Sequence, residues 1–368
     1  MSITLDQLTK LLQTEREQTL KEQRAQFQSE LKTLQAQLKA ENAEAKAERE
    51  ALQEELKKIT EKLQEQKLQV TDAIKNVLNL PVAKPFGRDH KNRPLIPIDD
   101  LPADSPYSPE EKDARRKLAC LFRLVDDNGW SYYIYNHITL TIPGTDYVLI
   151  NPYGLLYHEI TASSLIKITY DGKLVDRGTT KFGINKNGYI IHSAIHEARP
   201  DIRCTIHVHH YAVAGVSAMK CGMLPINQEA MVAGPVAYVK YEGVFEQESD
   251  KERLKQLVKE DKQKKVLLLR NHGCVTMGET AEEAFRLLFV TINACETQAK
   301  SLVVGENGVV VPEKAALDHV YNYAQRGATN YDNKETKPFG YGEFEWEAFM
   351  RDLDSRGFVT GHNYKAPH

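Results

Sequence analysis

No apolar stretch of this chain approaches the roughly 20 residues that a membrane-spanning helix needs. Its opening, Met1-Ser2-Ile3-Thr4-Leu5-Asp6, has neither the basic start nor the apolar run of a secretory leader, so a cytoplasmic location is expected. Cysteine is sparse. The five present, Cys120, Cys204, Cys221, Cys274 and Cys295, lie among apolar neighbours with no Cys-x-x-Cys pair, and they read as reduced core thiols. An excess of one charge is also lacking, since 48 Lys and Arg stand against 51 Asp and Glu for a net charge of -3. That balance excludes a polyelectrolyte role on nucleic acid or a charged membrane surface. No internal repeat is visible.

Glycine and proline are absent from the first 80 residues, which are rich in Leu, Glu, Lys, Gln and Ala. That is the composition of one long helix. Leu31, Leu34 and Leu38 recur at spacings of 3 and 4, as do Leu52, Leu56, Ile59 and Leu63, giving a narrow a/d seam. Leu56 follows Leu31 by 25 residues, three heptads plus four, so the join around residues 41–50 is a stutter where a supercoil unwinds locally. Self-association through this seam, and hence a homo-oligomer, is the expectation. A helix folded back on its own head and a solvated single helix are the alternatives. Pro81, Pro85, Pro94, Pro97, Pro102, Pro106 and Pro109 then exclude helix and central strand and predict an extended linker.

The remainder alternates in an α/β manner. Periodicity predicts helices over 111–127, 190–197, 212–219 and 282–302, and strands over 132–142, 147–150, 204–209, 236–241 and 266–269. The divisions expected are a coiled-coil helix (1–80), a proline-rich linker (81–110), an α/β domain (111–303), a loop-rich connection around one short helix (304–336) and a C-terminal segment (337–368).

Two strings hold a split histidine set, Ile206-His207-Val208-His209-His210 and Arg270-Asn271-His272-Gly273. Strand alternation puts His207 and His209 on one side, where they can share a metal ion that His272 completes. Three neutral imidazoles with an open position suit a catalytic zinc, which can polarise a carbonyl or enediolate oxygen. The competing reading is that His-x-His occurs by chance in ordinary strands.

Longer strings carry a resemblance. Y-N-H-I-T-L at 135–140, G-L-L-Y-H-E-I-T-A-S-S-L-I-K at 154–167, H-S-A-I-H-E-A-R-P-D at 192–201, V-S-A-M-K-C-G-M-L-P-I at 216–226 and L-L-L-R-N-H-G at 267–273 resemble the class II aldolase and adducin family. The runs from His192 and from Ser217, and the segment from Gly342 to Tyr364, are more similar to the adducin head than to any aldolase. The resemblance implies a layered fold, a central mixed sheet flanked by helices, with the long helix in front. It also implies zinc at His207, His209 and His272.

Departures from the aldolase pattern limit the chemistry that carries across. The aldolases' proton-accepting glutamate, in a Ser-Ser-Glu string eleven residues before Arg-Pro-Asp, corresponds to Gly188, and the serines correspond to Lys186 and Asn187. Two phosphate-pocket turns have become Tyr135-Asn136 and Pro152-Tyr153-Gly154, adding bulk where a backbone amide must approach an anion. Losing the base costs roughly two to four orders of magnitude in rate. Without an acidic companion the three histidines are expected to hold metal weakly or not at all. Glu229, in Ile226-Asn227-Gln228-Glu229-Ala230-Met231, aligns with an aldolase tyrosine that reaches a neighbouring subunit's site and with an acid/base glutamate of related dehydratases. It is either a relocated base or a carboxylate favoured by a helix dipole.

The resemblance therefore implies a non-enzymatic adducin-like scaffold at the actin cytoskeleton or the inner face of the plasma membrane, with spectrin and actin as partners. The lysine-rich tail that follows the adducin head is absent before His368, which leaves those partners open. The alternative is a zinc-dependent lyase or dehydratase on a small hydroxy-ketone or sugar-derived substrate, with Glu229 as its catalytic residue.

Overall fold

A computed structural model describes residues 5–78, 88–240, 248–327 and 338–366. These form two units, 1–84 and 85–368. The first is a single helix, α1 (Leu5–Leu78), uninterrupted as its lack of glycine and proline requires. Its seam residues Leu31, Leu34, Leu38, Leu52, Leu56 and Ile59 are all exposed on the single chain. The side chain of Leu63 and most of those at the stutter lie outside the described residues.

The second unit is built on α2 (Pro109–Asp127). Ser108 caps it by accepting the Glu111 N–H, Pro109 opens it, and Glu110 and Glu111 complement the dipole of its first turn. Two fully buried arginines fasten it to its surroundings. Arg115 reaches the Leu165 carbonyl at 2.8 Å and the Asp176 carboxylate at 2.9 Å. Arg123 donates to the Ile96 and His158 carbonyls, both at 2.9 Å.

Four strands follow, β1 (His137–Thr141), β2 (Tyr147–Ile150), β3 (Ile166–Thr169) and β4 (Leu174–Asp176), then α3 (Lys186–Ala198), β5 (Cys204–Val208) and α4 (Tyr211–Ala218). After them come α5 (Gln228–Ala233), β6 (Val236–Val239), α6 (Glu248–Glu260), β7 (Val266–Leu269), β8 (Gly273–Gly278), α7 (Ala281–Ser301), α8 (Lys314–Ala324) and α9 (Glu343–Ser355). All eight strands form one mixed sheet in the order β4-β3-β2-β1-β5-β8-β7-β6, with only β6 and β7 parallel. One core lies between the sheet and α2, α4, α7 and α9; a second lies between the sheet and α3 and α6.

Several elements differ from the sequence expectations. Residues 132–136 are a turn rather than the start of β1, because Tyr133 adopts φ 48° and Asn136 turns its amide back to the Trp130 carbonyl. Helix α3 begins four residues early, at an Asn185 cap that accepts the Gly188 N–H. Strands β3, β4 and β8 and helices α6 and α9 are additions, while α5 is the short helix whose dipole one reading of Glu229 invoked. Tyr241, at the end of the expected 236–241 strand, lies outside the described residues. From Arg88 onward the proline-rich stretch is laid on the core: Ile98 is fully buried and its N–H donates to the Phe358 carbonyl at 2.7 Å. Its prolines cost no ladder bonds there, because only isolated backbone bonds are made. Residues 1–4 and 79–80 of the expected coiled-coil helix, 81–87 of the expected linker and 328–337 of the loop-rich connection lie outside the described residues. The short helix expected in that connection is α8.

Candidate metal centre

Strand β5 runs through the middle of the sheet, and its alternation decides which side chains meet. Ile206 and Val208 enter the α7 core, so Thr205 and His207 face α3. His207 is the cross-strand partner of His137 on β1. Its Nδ1–H donates to the Cys274 carbonyl at 2.9 Å, which leaves a lone pair on Nε2.

His209 lies just past β5, where its backbone N–H donates to Asn136 Oδ1 at 3.0 Å. His272 sits in the tight connection from β7 to β8, beside Asn271 at φ 58°. Glycine is required next, since a Cβ at Gly273 would stand 2.4 Å from the Val208 carbonyl oxygen. That close approach brings His272 over the end of β5. His209 Nε2 then lies 2.7 Å from His207 Nε2 and 2.9 Å from His272 Nε2.

The three nitrogens converge without enough hydrogens. His207 Nε2 carries none, and a proton on His209 Nε2 can bond only one of its two neighbours. A shared cation resolves the conflict, so the residues present fit zinc. Among the described residues these three form the cluster of ligand-type side chains whose donor atoms lie within 4.8 Å of one another, and no carboxylate joins them. Burial, together with the neighbouring imidazoles, pushes His207 far below the ordinary histidine range and His209 down to about 4; burial alone lowers His272. All three are therefore neutral at pH 7, as a metal requires. Tyr132 stacks on the His209 ring at 5.8 Å.

Behind the cluster lies a second histidine array that the sequence reading missed. On α3, His192 and His196 are four residues apart and so share a face, and Thr139 and His137 share a face of β1. His196 Nδ1 bonds the Ile202 carbonyl at 3.2 Å and its Nε2 bonds Thr139 Oγ1 at 2.9 Å. His192 Nδ1 bonds the same hydroxyl at 2.7 Å, and its Nε2 bonds His137 Nδ1 at 2.6 Å. His-x-Thr on a strand with His-x3-His on a helix was a signal within reach, but nothing in the spacing pairs that strand with that helix.

Gly188 lies one turn before His192 on this face. A Cβ there would be 2.3 Å from His137 Nε2. The imidazole of His137 thus fills the space in which a side chain at position 188 would begin. The other altered turns are closed in a similar way. Tyr153 N–H is taken by the Gly183 carbonyl at 2.8 Å, Gly188 N–H by Asn185 Oδ1 at 3.1 Å, and the Phe182 ring covers Gly154. The amides of Tyr153 and Gly188 are thus already engaged within the chain. Lys186 and Asn187 open α3, and Tyr135 is exposed. Glu229 occupies the first turn of α5, half-buried, and makes no hydrogen bond or ion pair among the described residues. It is not brought to the histidines.

Burial of these neutral imidazoles has a consequence for stability. His137 and His192 are held well below the ordinary histidine range by burial and by neighbouring histidines, and His196 lies at about 4 through burial. In the unfolded chain each titrates near 6.5. Below that pH the unfolded state takes up protons that the folded state refuses, so stability is full above about 6.5 and falls as pH drops towards 4. The slope is about 1.4 kcal/mol per pH unit for each such histidine. Urea unfolding of metal-free protein at pH 7 and pH 5.5 should show this loss, and His196→Gln should reduce the slope by about one proton. An unchanged slope would mean that His196 is already charged in the folded state.

Comparison with known proteins places these features in context. Residues 116–299 match the family described as Class II Aldolase and Adducin N-terminal domain. Adducin-related protein 1 of Caenorhabditis elegans is 41% identical over 273 residues, which are 74% of this chain and 37% of that protein. Alpha-adducin of Rattus norvegicus is 42% identical over 281 residues, again 74% of this chain and 37% of the relative. The chain thus spans little more than a third of these relatives' length. Among solved structures, an aldolase II superfamily protein from Pseudomonas syringae matches with a TM-score of 0.62 and 36% identity, covering 70% of this chain and 98% of that one.

Proposed function

Because the chain belongs to the class II aldolase and adducin family, we propose that it is an adducin-like, non-enzymatic scaffold of the membrane skeleton that keeps a zinc-competent histidine site. The observation that carries this reading is the interlock of His137 with Gly188: the place of the family's base is filled by a ring whose other nitrogen is bonded to His192. Zinc at His207, His209 and His272 would polarise a bound oxygen. Around it the chain's own groups offer neutral imidazoles and an aromatic wall, and among the described residues no carboxylate joins the cluster. Similarity to the adducins supports spectrin and actin as partners and the cytoplasmic face of the membrane as the location. Among the described residues no helix is long and apolar enough to cross a membrane.

Assembly belongs to the same reading. The exposed leucine seam of α1 has the spacing of a coiled coil, and it is assigned here to self-association. Deleting residues 1–80 should lower the number of subunits per particle derived from light scattering and weaken co-sedimentation of the chain with spectrin and actin filaments. An unchanged oligomer on deletion would remove the helix from assembly. Absence of co-sedimentation by the full chain would remove the scaffold assignment.

A second reading is favoured by the intact nitrogen cluster. It is a zinc-dependent lyase or dehydratase acting on a small unphosphorylated hydroxy-ketone, with Glu229 serving as acid and base in a neighbouring subunit's site. Glu229 is not part of its own chain's cluster, and this reading therefore assigns it to act in trans.

A further inference from the structure

The hydrogen-bonded histidine array behind the cluster has a fixed direction. At its far end the Ile202 carbonyl can only accept, so His196 Nδ1 carries the hydrogen and its Nε2 carries a lone pair. Thr139 must therefore donate its one hydroxyl hydrogen to His196 Nε2, and accept from His192 Nδ1–H. His192 Nε2 is then an acceptor, which requires His137 Nδ1 to be the donor. Each neutral imidazole has one hydrogen to give. The chain of assignments ends on a bare lone pair at His137 Nε2.

The ring that carries it stands beside the metal cluster, with Nε2 against Gly188. His137 is the cross-strand partner of His207, and their ring centroids are 4.7 Å apart. It is outside the cluster of three whose donor atoms crowd together. We propose that the Ile202 carbonyl, acting through His196, Thr139 and His192, fixes His137 as a hydrogen-bond acceptor in the space between Gly188 and the three-histidine site. The site then selects ligands that bring a hydrogen, a water or a hydroxyl next to a carbonyl, over carboxylate and phosphate, whose oxygens would meet a lone pair. This inference rests on the metal reading for its ligand, but its tautomer assignment does not. His137 is a positioning and specificity residue, and no proton needs to leave or reach it.

Two measurements test this on the full chain. In metal-free, 15N-histidine-labelled protein at neutral pH, two-bond proton–nitrogen spectra should show His137, His192 and His196 all protonated on Nδ1 and bare on Nε2. Thr139→Ser should keep that pattern, and Thr139→Val should release His192 from it. Native His137 protonated on Nε2 would overturn the proposal. In the second measurement Co2+ is added and the visible spectrum followed with dihydroxyacetone, acetate or inorganic phosphate. Dihydroxyacetone should perturb the spectrum at about tenfold lower concentration than either anion, the size of one hydrogen bond set against an unpaired group. His137→Ala should erase the preference. Anions that bind as well as dihydroxyacetone would refute the selectivity. Failure to bind Co2+ at all, with the tautomer pattern intact, would instead count against the metal reading.

Discussion

Replacing Gly188 by alanine should destabilise the protein by about 1–3 kcal/mol, an unusually large effect for adding one methyl group near the start of a helix. The added Cβ would lie 2.3 Å from His137 Nε2 and 2.6 Å from its Cδ2, and that ring cannot retreat without breaking its bond to His192. Glutamate should be worse, since it adds an unpaired carboxylate against the buried His137 ring. His137→Val on its own leaves the buried His192 Nε2 without a partner, at a cost of about 1–3 kcal/mol. The two changes relieve one another, because the valine vacates the room that the new side chain needs. The double variant should therefore be more stable than the sum of its parts by about 1–2 kcal/mol. Urea titrations of the two single variants, the pair and the parent give the coupling directly. Strict additivity would mean that the contact does not govern position 188.

Zinc binding supplies the second large effect. One Zn2+ per chain should be taken up by added metal, because the three Nε2 atoms already lie 2.7 and 2.9 Å apart along the cluster and are neutral at pH 7. Three uncharged ligands leave the ion's charge uncompensated, so it should be lost on dialysis against a chelator. His207→Ala or His272→Ala should weaken binding by more than about a hundredfold, beyond the 10–100-fold that altering an outer partner costs. Isothermal titration with Zn2+ measures this. An affinity unmoved by either substitution would place the ion elsewhere.

The histidine cluster was legible because the rule behind it is local. Strand alternation puts His207 and His209 together, and a β7–β8 hairpin brings back His272, although β8 itself was hidden in the short run Gly273–Gly278. Helices with long apolar periods, α2 and α7, were legible to within two residues. Short edge strands such as β4, exposed along most of its length, carry no clear alternation. Helix α6 is mostly charged and buries only Leu254 and Val258, too thin a stripe to announce itself. That position 188 is a glycine could be read from the sequence. That His137 fills the space beside it could not, because the two meet only after β1 has paired with β5 and α3 has been laid across them. Tyr132 was read as strand, whereas its place in a turn lets it stack on His209.

The claim that the site lacks a base of its own is tested most directly by turnover. The full chain, with Zn2+ or Mn2+ added, should be assayed against phosphorylated and unphosphorylated ketoses beside its Glu229→Gln variant. Neither protein should cleave or dehydrate any of them above background. Metal-dependent turnover by the native chain that falls about a hundredfold or more in Glu229→Gln would make Glu229 the working base and contradict the scaffold assignment.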